Sequence, residues 1–399
     1  MRVLIATYGS RGDVEPVAGL ALELRKLGAD VRVGAPPDEE FTRRLKTVGA
    51  EAVPVGRPVR ELLRSRPTDA EATAAAIVNS QYEGLRANAF DCDLLLATGM
   101  VPAAAATVAE ELGIPYRFAS FIPGVLPSPH HPPHRRPGKP FPPGASNQEL
   151  WAIDAENLNA LYGPPLNELR AARGLGPVAD IRTHAYTERP ILASDPVLGP
   201  WREAPDLEVI RTGPWILPDD RPLPADLLAF LDAGEAPVFA GFGSMPIAEP
   251  EEVSRALVGA ARAAGRRLVL SSGWAGLAPI DGESDVFGLD EANHQKLLLR
   301  TAAAIHHGGA GTTATAARSG APQVIVPQLA DQPYWAERVV ALGIGVAHVG
   351  PTPTAESLAA CLDAALDPDT ATAAAALAGT LRTDGAAVAA RFLLEELDR

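Results

Sequence analysis

The feature that most constrains this chain is a rhythm. Short apolar runs, of the kind buried on both faces of a sheet, alternate with stretches whose apolar residues recur at helical spacing. "RVLIAT" leads into "VEPVAGLALELRKLG", and "DVRVGA" leads into "EEFTRRLKTVG". "AEAVPVG", "DLLLAT", the Ala-rich "VPAAAATVAEELG" and "PYRFASF" continue the series. The second half repeats it with "PVFAGFG", "EEVSRALVGAARAAG", "RRLVLSS", "HQKLLLRT", "AAAIHH", "GTTATAARSG", "PQVIVP" and "QPYWAERVVALG". Strands alternating with helices predict an α/β chain with parallel sheets covered on both faces. At 399 residues, 47% of them apolar, there is material for two cores. The limits expected are 1–205 for the first domain, 206–225 for a Pro- and charge-rich linker, and 226–380 for the second. The last helix, 381–399, can pack on either domain.

Charge and cysteines narrow the partners. A net charge of −14 argues against nucleic acid or an anionic membrane surface, so an anionic ligand must be held by local geometry. Cys92 and Cys361 lie far apart without metal-type spacing, which predicts a cytoplasmic chain with no disulfide framework. "MRVLIATYGS" reads as a first strand, not a signal peptide, and no segment approaches the roughly 18 apolar residues of a membrane span.

The segment "IHHGGAGTTATAARSGAPQVIVPQLADQ" (305–332) concentrates chemistry. The strand ending at His306 and His307 should lead into a helix starting around Gly311 to Thr313. A helix start at the carboxyl end of a strand offers unpaired N–H groups and partial positive charge, which suits phosphate. Gly308, Gly309 and Gly311 admit close backbone approach. Thr312 and Thr313 add hydroxyls, and His307 adds an imidazole N–H or, protonated, a charge. The bland alternative is a glycine turn with a Thr cap. No Lys follows the glycines, so this is not a P-loop.

Other strand ends add candidates. Gly241, Gly243 and Ser244 can meet the same anion from another side or form a tight turn. Trp274 can stack on a nucleoside or fill the core, and Asn293 and His294 carry groups able to read a base or ribose. Asp331 beside Gln332 suits several sugar hydroxyls, since one only accepts and the other also donates; Asp331 is equally a good N-cap ahead of Pro333. In the first half, Asp13 stands where "TYGSRGDVEP" turns into a helix, as N-cap or general base. The loop carries Gly9-x-x-Gly12 and strand two ends in "VGAPP" without a ribose-binding acid, which speaks against a nicotinamide or flavin enzyme. Pro123 to Trp151 is too Pro-rich for a helix or central strand and is expected to be a lid or wall of an acceptor pocket, or a metal loop through His130, His131 and His134.

Taken in order, "MRVLIATYGSRGDVEPVAGLALELRKLGADVRV", "PVFAGFGSM", "RRLVLSSGWAG", "AAAIHHGGAGTT" and "APQVIVPQLADQ" resemble actinobacterial glycosyltransferases of antibiotic biosynthesis, the vancomycin-group enzymes above all. The resemblance runs from the first strand to the last helix. It implies a GT-B fold of family 1 type: two Rossmann-like domains facing across a deep cleft, acceptor in the first, nucleotide sugar in the second, with the last helix crossing back. It implies an inverting, metal-free transfer from a dTDP- or UDP-sugar to a natural-product aglycone, by a monomer or homodimer. Asp13 then matches the general base; His307, Gly309, Gly311, Thr312, Ser244 and Ser10 the diphosphate contacts; Trp274, Asn293 and His294 the nucleoside contacts; Asp331 and Gln332 the sugar contacts. Two positions depart from the wider group: Thr315 replaces a ribose-binding Glu, and Asn293-His294 replaces Pro-Gln. Two alternatives keep the fold: a silent auxiliary partner of another glycosyltransferase, and a nucleotide-sugar epimerase.

Overall fold

The computed structural model describes residues 1–65, 69–99, 101–134 and 139–397. The chain divides into two compact units: Met1–Pro218 joined by the chain from Arg382 onward, and Asp219–Leu381.

The first unit is built on seven parallel strands: β1 (Arg2–Tyr8), β2 (Asp30–Ala35), β3 (Glu51–Pro54), β4 (Leu94–Gly99), β5 (Tyr116–Ser120), β6 (Ile191–Leu192) and β7 (Ile210–Arg211). Their order is β3-β2-β1-β4-β5-β6-β7, with Val3 beside Leu94 and Ile5 beside Leu96. Helices cover the sheet, so "VLIA" and "LLLA" are buried throughout and need no polar alternation. The stretch read as linker from 206 is sheet in part, because β7 pairs with β6. A two-residue strand carries no periodicity to betray it.

Three further differences from expectation have local causes. The helix Ala70–Ala89 is so rich in alanine that its apolar stripe is faint, yet it buries Val78, Tyr82 and Leu85. The Pro-rich segment does not run as loop to Trp151: the helix Asn147–Ala172 begins inside it. Its start is written as Ser146-x-x-Glu149, a reciprocal capping box. The segment is also pinned, not free. His131 Nε2 lies 3.1 Å from the carbonyls of both Pro123 and Leu126, and Trp151 Nε1 donates to the His131 carbonyl at 2.9 Å. Residues 135–138 of this segment lie outside the described residues. Among the described residues no group of three His, Cys, Asp or Glu could hold a metal ion.

The last helix, Gly385–Leu397, packs on the helix Arg11–Lys26 within the same unit. Glu396 accepts from Arg117 at 2.7 Å and Arg189 at 3.1 Å, and Asp195 Oδ2 accepts from the Arg382 N–H at 2.8 Å.

The second unit holds six parallel strands: β8 (Val238–Gly241), β9 (Leu268–Ser271), β10 (Val286–Leu289), β11 (Ala303–His306), β12 (Gln323–Ile325) and β13 (Gly345–Ala347). Their order is β10-β9-β8-β11-β12-β13. Strand order therefore reverses between β8 and β11, as it does between β1 and β4 in the first unit. In open α/β sheets, ligands bind beyond the carboxyl ends of strands at such a point. No described helix is long and apolar enough to cross a membrane.

Candidate active site

At the switch point of the second sheet, His306 closes β11 in register with Gly241, the last residue of β8. Each strand then releases a glycine turn. After β8, the Met245 N–H donates back to the Phe242 carbonyl at 3.0 Å, turning the chain at Gly243–Ser244. After β11 the chain passes through His307–Gly309 into the helix Ala310–Arg318, which starts one residue before the stretch expected. Gly308 has φ +90°, and a Cβ there would stand 2.6 Å from Ile325 Cγ2, so the turn requires glycine twice over.

The helix start itself is bare. Gly309 is its N-cap and no side chain caps it, so the first-turn N–H groups of Ala310, Gly311 and Thr312 have no side-chain acceptor. The His307 ring lies beside them: a Cβ on Gly309 would meet its Nε2 at 2.6 Å, and a Cβ on Gly243 its Cε1 at 3.3 Å. His307 Nδ1 is buried, with no hydrogen-bond partner among the described residues. Burial pushes the His307 pKa down to about 3, with His306 adding to the effect, so the imidazole is neutral and the protonated form anticipated above is disfavoured. Of the two threonines, Thr312 is half-buried, whereas Thr313 is wholly buried with its hydroxyl unpartnered and is not open to a ligand.

Neighbouring turns close on the same spot. The Trp274 N–H donates to the Gly243 carbonyl at 2.8 Å, which fixes Trp274 next to the turn after β8. Gln332 Nε2 reaches Met245 Sδ at 3.4 Å from the other side. Ser244, Trp274, His307, Gly309, Gly311, Thr312 and Gln332 thus belong to one cluster at the carboxyl end of this sheet, with Asp331 next to Gln332.

Asp331 and Gln332 differ from expectation in detail. Asp331 precedes the helix Gln332–Ala341 but makes no side-chain cap. Its Oδ2 instead accepts from Trp335 Nε1 at 2.7 Å, and burial raises its pKa while that bond opposes the rise. The Gln332 carbonyl is already engaged by the N–H groups of Gln328 and Leu329, at 2.7 and 3.0 Å. Its amide nitrogen, one N–H of which is directed at Met245 Sδ, is what remains for a ligand, so the accepting half of its anticipated role is taken. The loop it holds includes Ala330 at φ +57°, a conformation that costs a non-glycine residue free energy.

Asn293 is a correction. It is buried, its Oδ1 accepts from the Lys296 N–H at 3.1 Å, and its Nδ2 donates to the carbonyls of Asp219 and Arg221 at 2.6 and 2.9 Å. Both amide N–H groups are spent in anchoring 219–221 and one lone pair of Oδ1 in closing a helix start, so no donor is left for a base or ribose. His294 packs edge-on against Phe239, with ring centroids 5.1 Å apart. Thr315 donates to the Gly311 carbonyl at 2.8 Å and accepts from Arg318 at 3.1 Å.

Ser10 and Asp13 lie in the first unit, just past the end of β1 at its own switch point. Ser10, not Asp13, is the N-cap; Asp13 is the third helical residue and reaches back to the Ser10 N–H at 2.8 Å. The Ser10 hydroxyl accepts from the Gly12 N–H at 3.4 Å, so its anticipated phosphate role competes with capping. A Cβ on Gly9 would fall 2.0 Å from Asp13 Oδ2, so residue 9 must be glycine for the carboxylate to lie where it does.

Comparison with known proteins adds identity to this geometry. Residues 3–125 match the glycosyltransferase family 28 N-terminal domain, and residues 290–389 the erythromycin biosynthesis protein CIII-like C-terminal domain. The vancomycin aglycone glucosyltransferase of Amycolatopsis orientalis is 50% identical over 412 residues, covering 100% of this chain and 98% of its own. The dTDP-epi-vancosaminyltransferase of the same organism is 44% identical over 378 residues, 92% of this chain and 91% of its own. Among solved structures, the kitacinnamycin glycotransferase superposes with a TM-score of 0.74 at 24% identity, covering 99% of this chain and 98% of its own. The glycosyltransferase VinC in complex with dTDP superposes with a TM-score of 0.67 at 20% identity over 100% of both chains.

Proposed function

The chain belongs to the vancomycin-group branch of the GT-B glycosyltransferases, and from that premise we propose that it moves a sugar from a dTDP- or UDP-sugar to an antibiotic aglycone, with inversion and without a metal ion. Glucosyl transfer to vancomycin aglycone and epi-vancosaminyl transfer are the named activities of two relatives, which favours a glycopeptide-type acceptor and a hexose or deoxyhexose donor.

Each step has a residue in this chain. The Asp13 carboxylate takes the proton of the acceptor hydroxyl as that oxygen forms a bond to C1 of the sugar. The bond from C1 to the diphosphate oxygen breaks on the opposite face, and its electron pair leaves on the diphosphate. The bare N–H groups at Ala310–Thr312, the Thr312 hydroxyl and the neutral His307 imidazole meet the charge where it accumulates. Asp331 accepts sugar hydroxyls, and Gln332 donates to one. Trp274 lies beside the nucleoside, and Ser244 beside the diphosphate.

One observation carries this assignment: a buried, unpartnered imidazole nitrogen beside a helix start that no side chain caps. The buried nitrogen is costly in a chain that binds nothing there, the helix start is left to solvent, and an anionic ligand can engage both. Calorimetric titration with dTDP and UDP tests it, alongside His307→Ala. Binding that weakens about tenfold or more in the variant supports the seat. A folded chain that binds neither diphosphate would refute it. Proton NMR of the anomeric centre in the product reports inversion.

A further inference from the structure

Resting on the diphosphate seat proposed above, we infer that His306 is a positioning residue whose Nδ1 holds the Gly308 N–H, and that Gln323 fixes the imidazole tautomer that lets it do so. His306 is wholly buried at the end of β11. Its two nitrogens are both used. The Gly308 N–H donates to Nδ1 at 3.0 Å, which requires that nitrogen to be unprotonated. Nε2 must then carry the proton, and it donates to Gln323 Oε1 at 2.9 Å. Gln323 stands on the neighbouring strand β12, beside Ala304, two residues before His306 and on the same face.

The consequence lies in what Gly308 joins. It is the left-handed residue between His307 and the bare helix start at Gly309, so its orientation aims both the imidazole and the first-turn N–H groups. A buried acceptor that holds the Gly308 N–H fixes that turn before any ligand arrives. Preorganised donors are worth more to a developing charge than donors that must first be ordered. The wrong tautomer would set two N–H groups against one another at this point. Gln323 in this orientation opposes it, because its oxygen accepts from an Nε2–H and would repel a bare Nε2; among the described residues its own Nε2 is buried without a partner, the cost of that orientation.

Two isosteric changes separate the role from mere filling of space. Asparagine places an oxygen where Nδ1 stands, and glutamine places its amide where Nε2 stands. His306→Asn therefore keeps the acceptor for Gly308 and should bind dTDP within about threefold of wild type. His306→Gln keeps the Gln323 contact but loses that acceptor, and dTDP affinity should fall about tenfold. Gln323→Leu frees the tautomer and should weaken dTDP by a similar factor. Long-range ¹H–¹⁵N spectra of wild type should show His306 protonated at Nε2, with Nδ1-protonated signal emerging in Gln323→Leu. Equal losses in the asparagine and glutamine variants, or a wild-type Nδ1–H tautomer, would overturn the inference. His307→Ala in the same series separates the two layers. If it weakens dTDP while His306→Gln and Gln323→Leu do not, the seat stands and the positioning role falls; if it too leaves dTDP unaffected, the seat falls first.

Discussion

Ser10 and Asp13 cap each other: the Ser10 N–H donates to Asp13 Oδ2 at 2.8 Å, and the Ser10 hydroxyl accepts from the first turn of the helix that Asp13 helps to open. The proposed base is therefore also a structural carboxylate, and its two duties can be separated. Asp13→Asn retains an oxygen to accept from Ser10 and should leave stability within about 1 kcal/mol, while turnover falls by about 10²–10⁴. Asp13→Ala should lose the same turnover and a further 0.5–2 kcal/mol, roughly, of stability. Urea melts beside steady-state rates check this pair. Turnover of the asparagine variant within a few-fold of wild type would remove Asp13 as base.

Gly9 makes a second test of the same carboxylate without touching it. Its added Cβ would lie 2.0 Å from Asp13 Oδ2, so Gly9→Ala must drive the carboxylate out of the cap. We expect turnover to fall at least about tenfold, with dTDP affinity retained, since the diphosphate seat proposed at His307–Thr312 belongs to the other unit. An active Gly9→Ala enzyme would mean that Asp13 need not stand where it does.

Much of this was legible beforehand because it is local. Parallel strands buried on both faces write themselves as apolar runs, and the strand-end glycines mark where the sheets can meet a ligand. What the sequence hid depends on partners distant along the chain. Asn293 looks like a ligand-reading amide until the carbonyls of Asp219 and Arg221 are found against it. Gln323 carries no signal at all, because its value arises from strand register with Ala304. Asp331 reads as a cap, yet its carboxylate turns toward Trp335. The one overlooked local signal was Ser146-x-x-Glu149, masked by the prolines before it.

The reassignment of Asn293 has its own consequence. Asn293→Ala takes the side-chain amide donor from the Asp219 carbonyl, leaves the Arg221 carbonyl to Lys296 Nζ alone and removes a helix cap, which should cost about 1–3 kcal/mol. Preference between dTDP and UDP should not change. A variant of full stability with altered base preference would return Asn293 to the nucleoside site.

Buried histidines give the protein an acid-side weakness. Burial lowers the pKa of His184 and His306 to about 4, with the Arg170 cation adding to the effect at His184. In the unfolded chain a histidine titrates near 6.5, so below about that pH the unfolded state binds protons that the native state refuses. Their contribution is complete above about pH 6.5 and drains away as pH falls toward 4. Each can remove up to about 1.4 kcal/mol per pH unit in that window. Urea midpoints between pH 5 and 7.5 should slope accordingly, and His184→Gln should flatten the slope whatever it does to the midpoint itself. An unchanged slope in that variant would exclude His184 as a source.

Trp335 provides the last test, through its bond to Asp331, the proposed sugar contact. Burial raises the Asp331 pKa, and the Trp335 N–H, donating at 2.7 Å, holds the rise in check. Trp335→Phe keeps an aromatic ring but removes the donor, so only the Asp331 backbone N–H still opposes burial and the carboxyl moves further up. A carboxyl whose native pKa exceeds its unfolded value is better protonated when folded, so stability falls as pH rises through that interval, and the variant widens it. If Asp331 must be ionised to accept sugar hydroxyls, the acid limb of kcat/KM should move to higher pH by about 1 unit, the worth of one hydrogen bond to a charged acceptor. At pH 8.5 the variant should approach wild type, and its affinity for dTDP, which carries no sugar on the diphosphate, should be unaltered. An equal loss at every pH would mean that Trp335 acts only by packing, and a limb that does not move would take Asp331 out of sugar binding.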